Sequence, residues 1–159
     1  MEPLSIDVFP PPDTTQLARV VVRLIIAAVL GWLIGAEREA MGKAAGARTH
    51  ILVSLGAALF VIVPSEIGLR EGDLGRVVQG LATGIGFIGA GTILKRTDRD
   101  EITGLTTAAT IWLTAAIGLA VGVGQIWIAA LCAAGARIIL SVAPFGDRRE
   151  SAANSREDS

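Results

Sequence analysis

Three short stretches hold most of the side chains in the apolar part of this sequence that could carry chemistry. The first is Gly31-Trp32-Leu33-Ile34-Gly35-Ala36-Glu37-Arg38-Glu39, followed closely by Lys43, Gly46, Arg48, Thr49 and His50. Carboxylates, cations, a hydroxyl and the only histidine crowd into the 14 residues from Glu37 to His50. They describe a polar cup, with Glu37 as acceptor and Arg38 or Arg48 as its partner. A charged helix end that stops an apolar segment would look similar. The second stretch places Gly80, Gly84, Gly86, Gly89 and Gly91 within 12 residues. That density costs any helix stability, unless tight packing or an unwound, ligand-lining backbone makes use of it. The third is Thr103-Gly104-Leu105-Thr106-Thr107, continuing to Thr110 and Thr114. Thr106 and Thr107 open a helix beside a basic loop, where free backbone N–H groups favour an anion. The plainer expectation is that these hydroxyls bond carbonyls of their own helix.

Other chemistries lack their residues. A single cysteine, Cys132, and a single histidine, His50, build neither a disulfide framework nor a zinc site. No nucleophile–base pair, phosphate-binding G-x-x-x-x-G-K or dinucleotide fingerprint stands on a suitable element. No enzymatic activity and no cofactor are expected. The 14 basic and 15 acidic side chains balance to −1, so no basic field points to nucleic acid.

The elements that must position these residues are apolar helices. Of the 159 residues 52% are hydrophobic and only 18% charged, and the charges cluster between long uncharged runs. That pattern predicts an all-α polytopic membrane protein. Five stretches approach the roughly 20 apolar residues of a spanning helix: 17–36, 49–63, 77–94, 105–123 and 125–143. The second is short and needs tilt or bilayer thinning. Residues 1–16, with Glu2, Asp7, Asp13 and a Pro10-Pro11-Pro12 run, are unlike a signal peptide and read as an extracytoplasmic segment. Residues 144–159 read as a disordered cytoplasmic tail. Two ionisable residues fall inside spans and are suspects for function on that ground. Arg23 is kept as a functional candidate, whereas Arg137, close enough to an interface to snorkel, is read as structural.

Basic side chains predict the orientation. One face collects Arg38, Lys43, Arg48, Lys95, Arg96, Arg99, Arg148, Arg149 and Arg156; the other has at most Arg19, Arg23, Arg70 and Arg76. Nine against four places the N-terminus outside and the C-terminus in the cytoplasm. The two inner hairpins also resemble each other. Gly46, Thr49, Leu55, Ala57 and Ala58 match Gly104, Thr107, Leu113, Ala115 and Ala116 at a constant offset of 58. That is either a parallel repeat or the cheap likeness of Gly/Ala/Leu-rich helices. Three G-x-x-x-G pairs lie in spans, Gly31/Gly35, Gly80/Gly84 and Gly118/Gly122, and predict close helix packing. A homodimer is expected, with Gly31 and Gly35 as its seam.

These strings resemble a known family. Arg23-Leu24, the run from Gly31 to Glu39 and Gly46-Ala47-Arg48-Thr49-His50 look like the N-terminal motif of the MgtC/SapB membrane proteins. Gln79-Gly80, Gly84-Ile85-Gly86-Phe87-Ile88-Gly89-Ala90-Gly91 and Gly104-Leu105-Thr106-Thr107 through Trp112 to Gly118 continue the likeness, closer to its short, SapB-like branch. The resemblance implies a multi-pass protein of the bacterial inner membrane tied to magnesium homeostasis and, in pathogens, to survival inside host cells. It implies an accessory or regulatory role, with another membrane protein such as the ATP synthase or a transporter as partner. Mg²⁺ is the one metal it brings in. Longer members carry a soluble C-terminal domain, whereas about 15 residues follow the last span here. The rival expectation is a transporter or channel that itself moves Mg²⁺ or another ion. Against it, 51–63, 77–94 and 105–142 hold no carboxylate, and Mg²⁺ requires oxygen ligands.

The orientation is directly testable. A cysteine at Ser5 should react with an impermeant reagent from outside, and one at Ser155 only after permeabilisation. The reverse pattern would invert the topology.

Overall fold

A computed structural model describes residues 13–68, 71–96 and 101–142. Five helices follow one another: α1 (Thr14–Ala40), α2 (Ala47–Glu66), α3 (Glu71–Ala90), α4 (Leu105–Gly122) and α5 (Ile126–Val142). The fold is therefore all-α in its body. α1, α2 and α4 are long and apolar enough to cross a bilayer, and α5 is a shorter apolar helix of 17 residues. The first 12 residues and everything beyond 142, where an outer segment and a disordered tail are expected, lie outside the described residues.

The helix ends follow local chemistry. α1 stops where Gly42 adopts φ +65°, and the N–H groups of Gly42 and Lys43 close back on the carbonyls of Glu39 and Arg38, each at 3.0 Å. α2 then begins after Gly46, which has no side chain to cap it. The Glu39 carboxylate takes that role, accepting from the Ala47 N–H at 2.8 Å. α2 is not the short span expected: Pro64 sits within its last turn and the helix runs on to Glu66. A proline there forfeits one backbone hydrogen bond and ends the apolar reading early without ending the helix. α3 starts at Glu71, six residues before its expected apolar start, and holds helical form through Gly80, Gly84, Gly86 and Gly89. The basic loop after it contains a two-stranded antiparallel ladder, β1 (Leu94–Arg96) with β2 (Glu101–Thr103). Gly104 enters α4 at φ +89°, where a Cβ would collide with the Thr92 carbonyl oxygen.

The core is built on α1, α2 and α4, with Ala27, Ile34, Ala58, Ile62, Ile117 and Val121 buried between them. α5 adds Ala129, Ala133 and Ala136. α3 joins from the side, burying Ile85 among Ala57, Ile111 and Ala115. Glycine sets the spacing of the central trio. A Cβ on Gly31 would stand 2.6 Å from the His50 carbonyl oxygen, and one on Gly35 2.6 Å from Cα of Ala47. On α4, a Cβ at Gly118 would strike the Ser54 carbonyl, and one at Gly122 would lie 2.8 Å from that of Ala58. Both α2–α4 contacts keep the same difference in residue number, 64, so the two helices run parallel and in register. Such backbone contact is how helices associate where burial of apolar surface gives no drive.

These contacts correct the expected dimer seam, because Gly31 and Gly35 are occupied by α2 of the same chain. The glycines of α3 differ again. Nothing described lies within 4 Å of a Cβ at Gly80, Gly84 or Gly86, Gly89 makes only ordinary contact with Ala108, and Gly91 meets carbonyls of its own last turn. Half or more of Ile25, Val29, Trp32, Phe60, Trp112 and Trp127 is exposed, as on a surface that faces lipid.

A paired substitution tests this division. Gly118→Leu should destabilise the detergent-solubilised protein by about 1–3 kcal/mol or more through overpacking, read as a lower midpoint of thermal aggregation. Gly84→Leu should stay within about 0.5 kcal/mol of the parent.

Candidate functional site: a buried polar seam between α1, α2 and α4

Most polar groups buried among the described residues fall into one region. Glu37 and Arg38 on α1, His50 and Ser54 on α2, and Thr107, Thr110 and Thr114 on α4 are each at least nine-tenths buried. Helical spacing makes this possible. His50 and Ser54 are one turn apart on one face of α2, and the three threonines repeat at three and four residues along α4.

The last turn of α1 supplies two charges that point to different neighbours. Arg38 is 3% exposed, and its Nη2 donates to the Thr107 hydroxyl at 2.9 Å, reaching the first turn of α4. Glu37 accepts from Nη1 of Arg137 on α5, and the two side chains form an ion pair. Its partner is therefore neither Arg38 nor Arg48. Arg48 is exposed on the first turn of α2. Sequence reasoning treated Arg137 as a snorkelling residue and missed this pair. The signal was available: a guanidinium near the end of α5 needs a counter-charge, and Glu37 is the acid at the matching end of α1.

The seam continues inward. His50 is fully buried, and its Nδ1 lies 2.9 Å from the Gly46 carbonyl oxygen. A carbonyl only accepts, so Nδ1 carries the proton and Nε2 is left as a bare acceptor in the neutral ring. Arg38 of α1 and this ring belong to the same buried group. Thr110 and Thr114 donate to the carbonyls of Thr107 and Thr110 at 2.9 and 2.8 Å, the plain helical role. Ser54 lies beside Gly31 and Gly118, where the three backbones come closest. The sequence reading left out Ser54, Thr110 and Thr114 as site residues, although their four- and three-residue spacing was visible.

The remaining candidates sit elsewhere. Thr106 is exposed and Thr49 half-buried, so neither joins the buried group. Arg23 stands at the opposite end of α1, about 22 Å from Arg38 by helix rise. Its Nη1 donates to the Gly122 carbonyl at 3.2 Å. That bond completes the end of α4: the carbonyls of Leu119, Ala120 and Val121 accept from Val123, Gln125 and Gly124 at 3.0, 2.8 and 2.9 Å, and Arg23 takes the fourth. A cation at a helix C-terminus also meets the negative end of its dipole. Thus Arg23 is a helix cap delivered from another span. No group of three or more His, Cys, Asp or Glu side chains that could hold a metal ion occurs among the described residues.

Apolar helices joined by glycine contacts, with charges paired at the ends and hydroxyls lining the seam, define a multi-helix membrane protein. The MgtC family model matches residues 24–148, most of this chain, and the chain belongs to that family. It is 48% identical over 116 residues to Protein SrpB of Synechococcus elongatus, covering 64% of this chain and 62% of the relative. A protein named putative magnesium transporter YhiD, from Escherichia coli K12, is 47% identical over 116 residues, or 68% of this chain and 53% of its own. Protein MgtC of Salmonella typhimurium is 42% identical over 105 residues, covering 66% and 44%. The chain thus spans about half the length of the curated relatives it matches. No solved structure matches it.

The ion pair can be weighed by a double-mutant cycle. Glu37→Gln and Arg137→Gln should each cost about 1–3 kcal/mol, below the full value for a buried pair because 46% of the Arg137 side chain is exposed. The double variant should lose less than the sum. Additive losses in unfolding midpoint would mean that the two groups do not interact.

Proposed function

We propose that this chain is a non-enzymatic accessory protein of magnesium homeostasis in the bacterial inner membrane, acting through another membrane protein rather than by carrying the ion. Membership of the MgtC family and the printed name of the Escherichia coli relative support the link to magnesium. The observation that carries the accessory reading is the fate of the buried charges. Glu37 is the one carboxylate among the buried side chains described, and a guanidinium holds it. Mg²⁺ exchanges its tightly held octahedral water only for oxygen ligands free to receive it. A carboxylate locked to Arg137 and a guanidinium locked to Thr107 tie helices together instead.

In this reading the Glu37–Arg38 end faces the cytoplasm, and Glu37, Arg38, Arg48, Thr49, His50, Thr106 and Thr107 form or flank the working surface. Self-association belongs to the same reading. Of the three glycine pairs, Gly80/Gly84 is the one left open among the described residues. The transporter reading is favoured by one specific finding, the name of the relative from Escherichia coli.

Purified protein in liposomes separates the two. The expected result is Mg²⁺ uptake no greater than in empty liposomes, while cells carrying Glu37→Gln or Arg137→Gln grow more slowly at low Mg²⁺ with unchanged protein levels. Saturable Mg²⁺ uptake that Glu37→Gln abolishes would overturn the accessory role. Normal growth of both variants would remove the pair from the functional site.

A further inference from the structure

Three fully buried polar atoms in the seam make no hydrogen bond among the described residues: Nε of Arg38, Nε2 of His50 and Oγ of Ser54. Their residues are 3%, 0% and 0% exposed, so neither a lipid nor a second chain can reach them. In a bilayer such groups need partners inside the protein. The hydrogen-bonding character of the three atoms identifies what fits. Nε of Arg38 only donates, the bare Nε2 of His50 only accepts, and the Ser54 hydroxyl does both. An anion would meet the lone pair of Nε2, and a cation would meet the charge of Arg38. Water, which donates and accepts alike, answers all three, and buried water is how folded proteins usually satisfy such groups.

We propose that the seam is an aqueous inlet, in which water entering at the Arg38 end bridges these atoms and gives protons a route to Nε2 of His50. It reaches Ser54 and stops. The next layer away from Arg38 is Ala27, Ala58 and Val121, each 0% exposed, which forms an apolar plug. The electrostatic surroundings of the imidazole are simple. Glu37 and Arg38 of α1 are the charged side chains among the buried residues, Glu37 is engaged by Arg137 of α5, and the Glu39 carboxylate of α1 caps the start of α2 at Ala47. α2 and α4 contribute hydroxyls: Ser54, Thr107, Thr110 and Thr114. Arg38 is the cation among these buried groups that an added proton on His50 would face.

Because the chain has one histidine, every signal from isotope-labelled histidine belongs to His50. The test is magnetisation transfer from water, measured by solid-state NMR on the full chain in lipid bilayers. Transfer to the His50 ring should build up at least about threefold faster than transfer to the methyl groups of Ala27, Ala58 and Val121, as expected for a ring beside ordered water. Any smaller ratio means a dry seam and overturns the inlet. Acidifying the same sample should convert the ring from its one-donor form to the two-donor imidazolium. A ring that keeps the neutral form down to about pH 4 overturns the proton route. Neither readout depends on Mg²⁺ transport or on growth, so the inlet and the accessory function can fail separately.

Discussion

Helices in a bilayer gain nothing by hiding apolar surface from lipid that is equally apolar, so this fold depends on how closely three backbones can approach. Four glycines set that distance. Gly31 and Gly35 admit α2 to α1, and Gly118 and Gly122 admit α2 to α4. Polar burial in the seam follows from the same closeness. With helices this near, Ser54 and His50 cannot turn outward and stay on the packed face. They are enclosed together with the threonines of α4. The charged residues at the seam's end are then drawn into links between helices, Arg38 to Thr107 and Glu37 to Arg137.

Composition and the length of apolar runs made the five-helix architecture legible, because a bilayer leaves few other ways to satisfy a backbone. Boundaries were less so. Pro64 concealed the last turn of α2, since proline disfavours helix interiors without forbidding a final turn. The amphipathic start of α3 was hidden because Glu71, Asp73 and Arg76 dilute its hydropathy. The pairing of groups was hardest to read. Glu37 and Arg38 are adjacent in sequence, yet neighbouring helical positions point about 100° apart, so one meets α5 and the other α4. Arg23 was recognised as unusual and placed at the end of α1 away from Arg38, but its role as the cap of α4 was not read. Which carbonyl it would satisfy depends on where α4 ends, and that is a tertiary fact.

The glycines teach a similar lesson. Three G-x-x-x-G pairs look equivalent as strings, and the structure treats them differently. Two lie against α2, while Gly80 and Gly84 stand open on a helix that the chain holds from one side through Ile85. Small residues permit close approach, but only the arrangement of the other helices determines whether anything approaches.

The two ties between α1 and α4 carry a mechanical meaning. Arg23 to Gly122 and Arg38 to Thr107 span 15 residues on each helix, in opposite directions. They behave like pegs at the two ends of a ruler. Sliding α1 along α4 by one turn, about 5.4 Å, would pull both pegs out together, at one end leaving a helix carbonyl bare in lipid and at the other a buried guanidinium. Piston-like or ratcheting motion of the central trio is thereby opposed at both ends. α3 has no comparable pegs among the described bonds, and its glycine-rich flank has room. The described ties thus fix the register of α1 against α4 and leave α3 outside that lock.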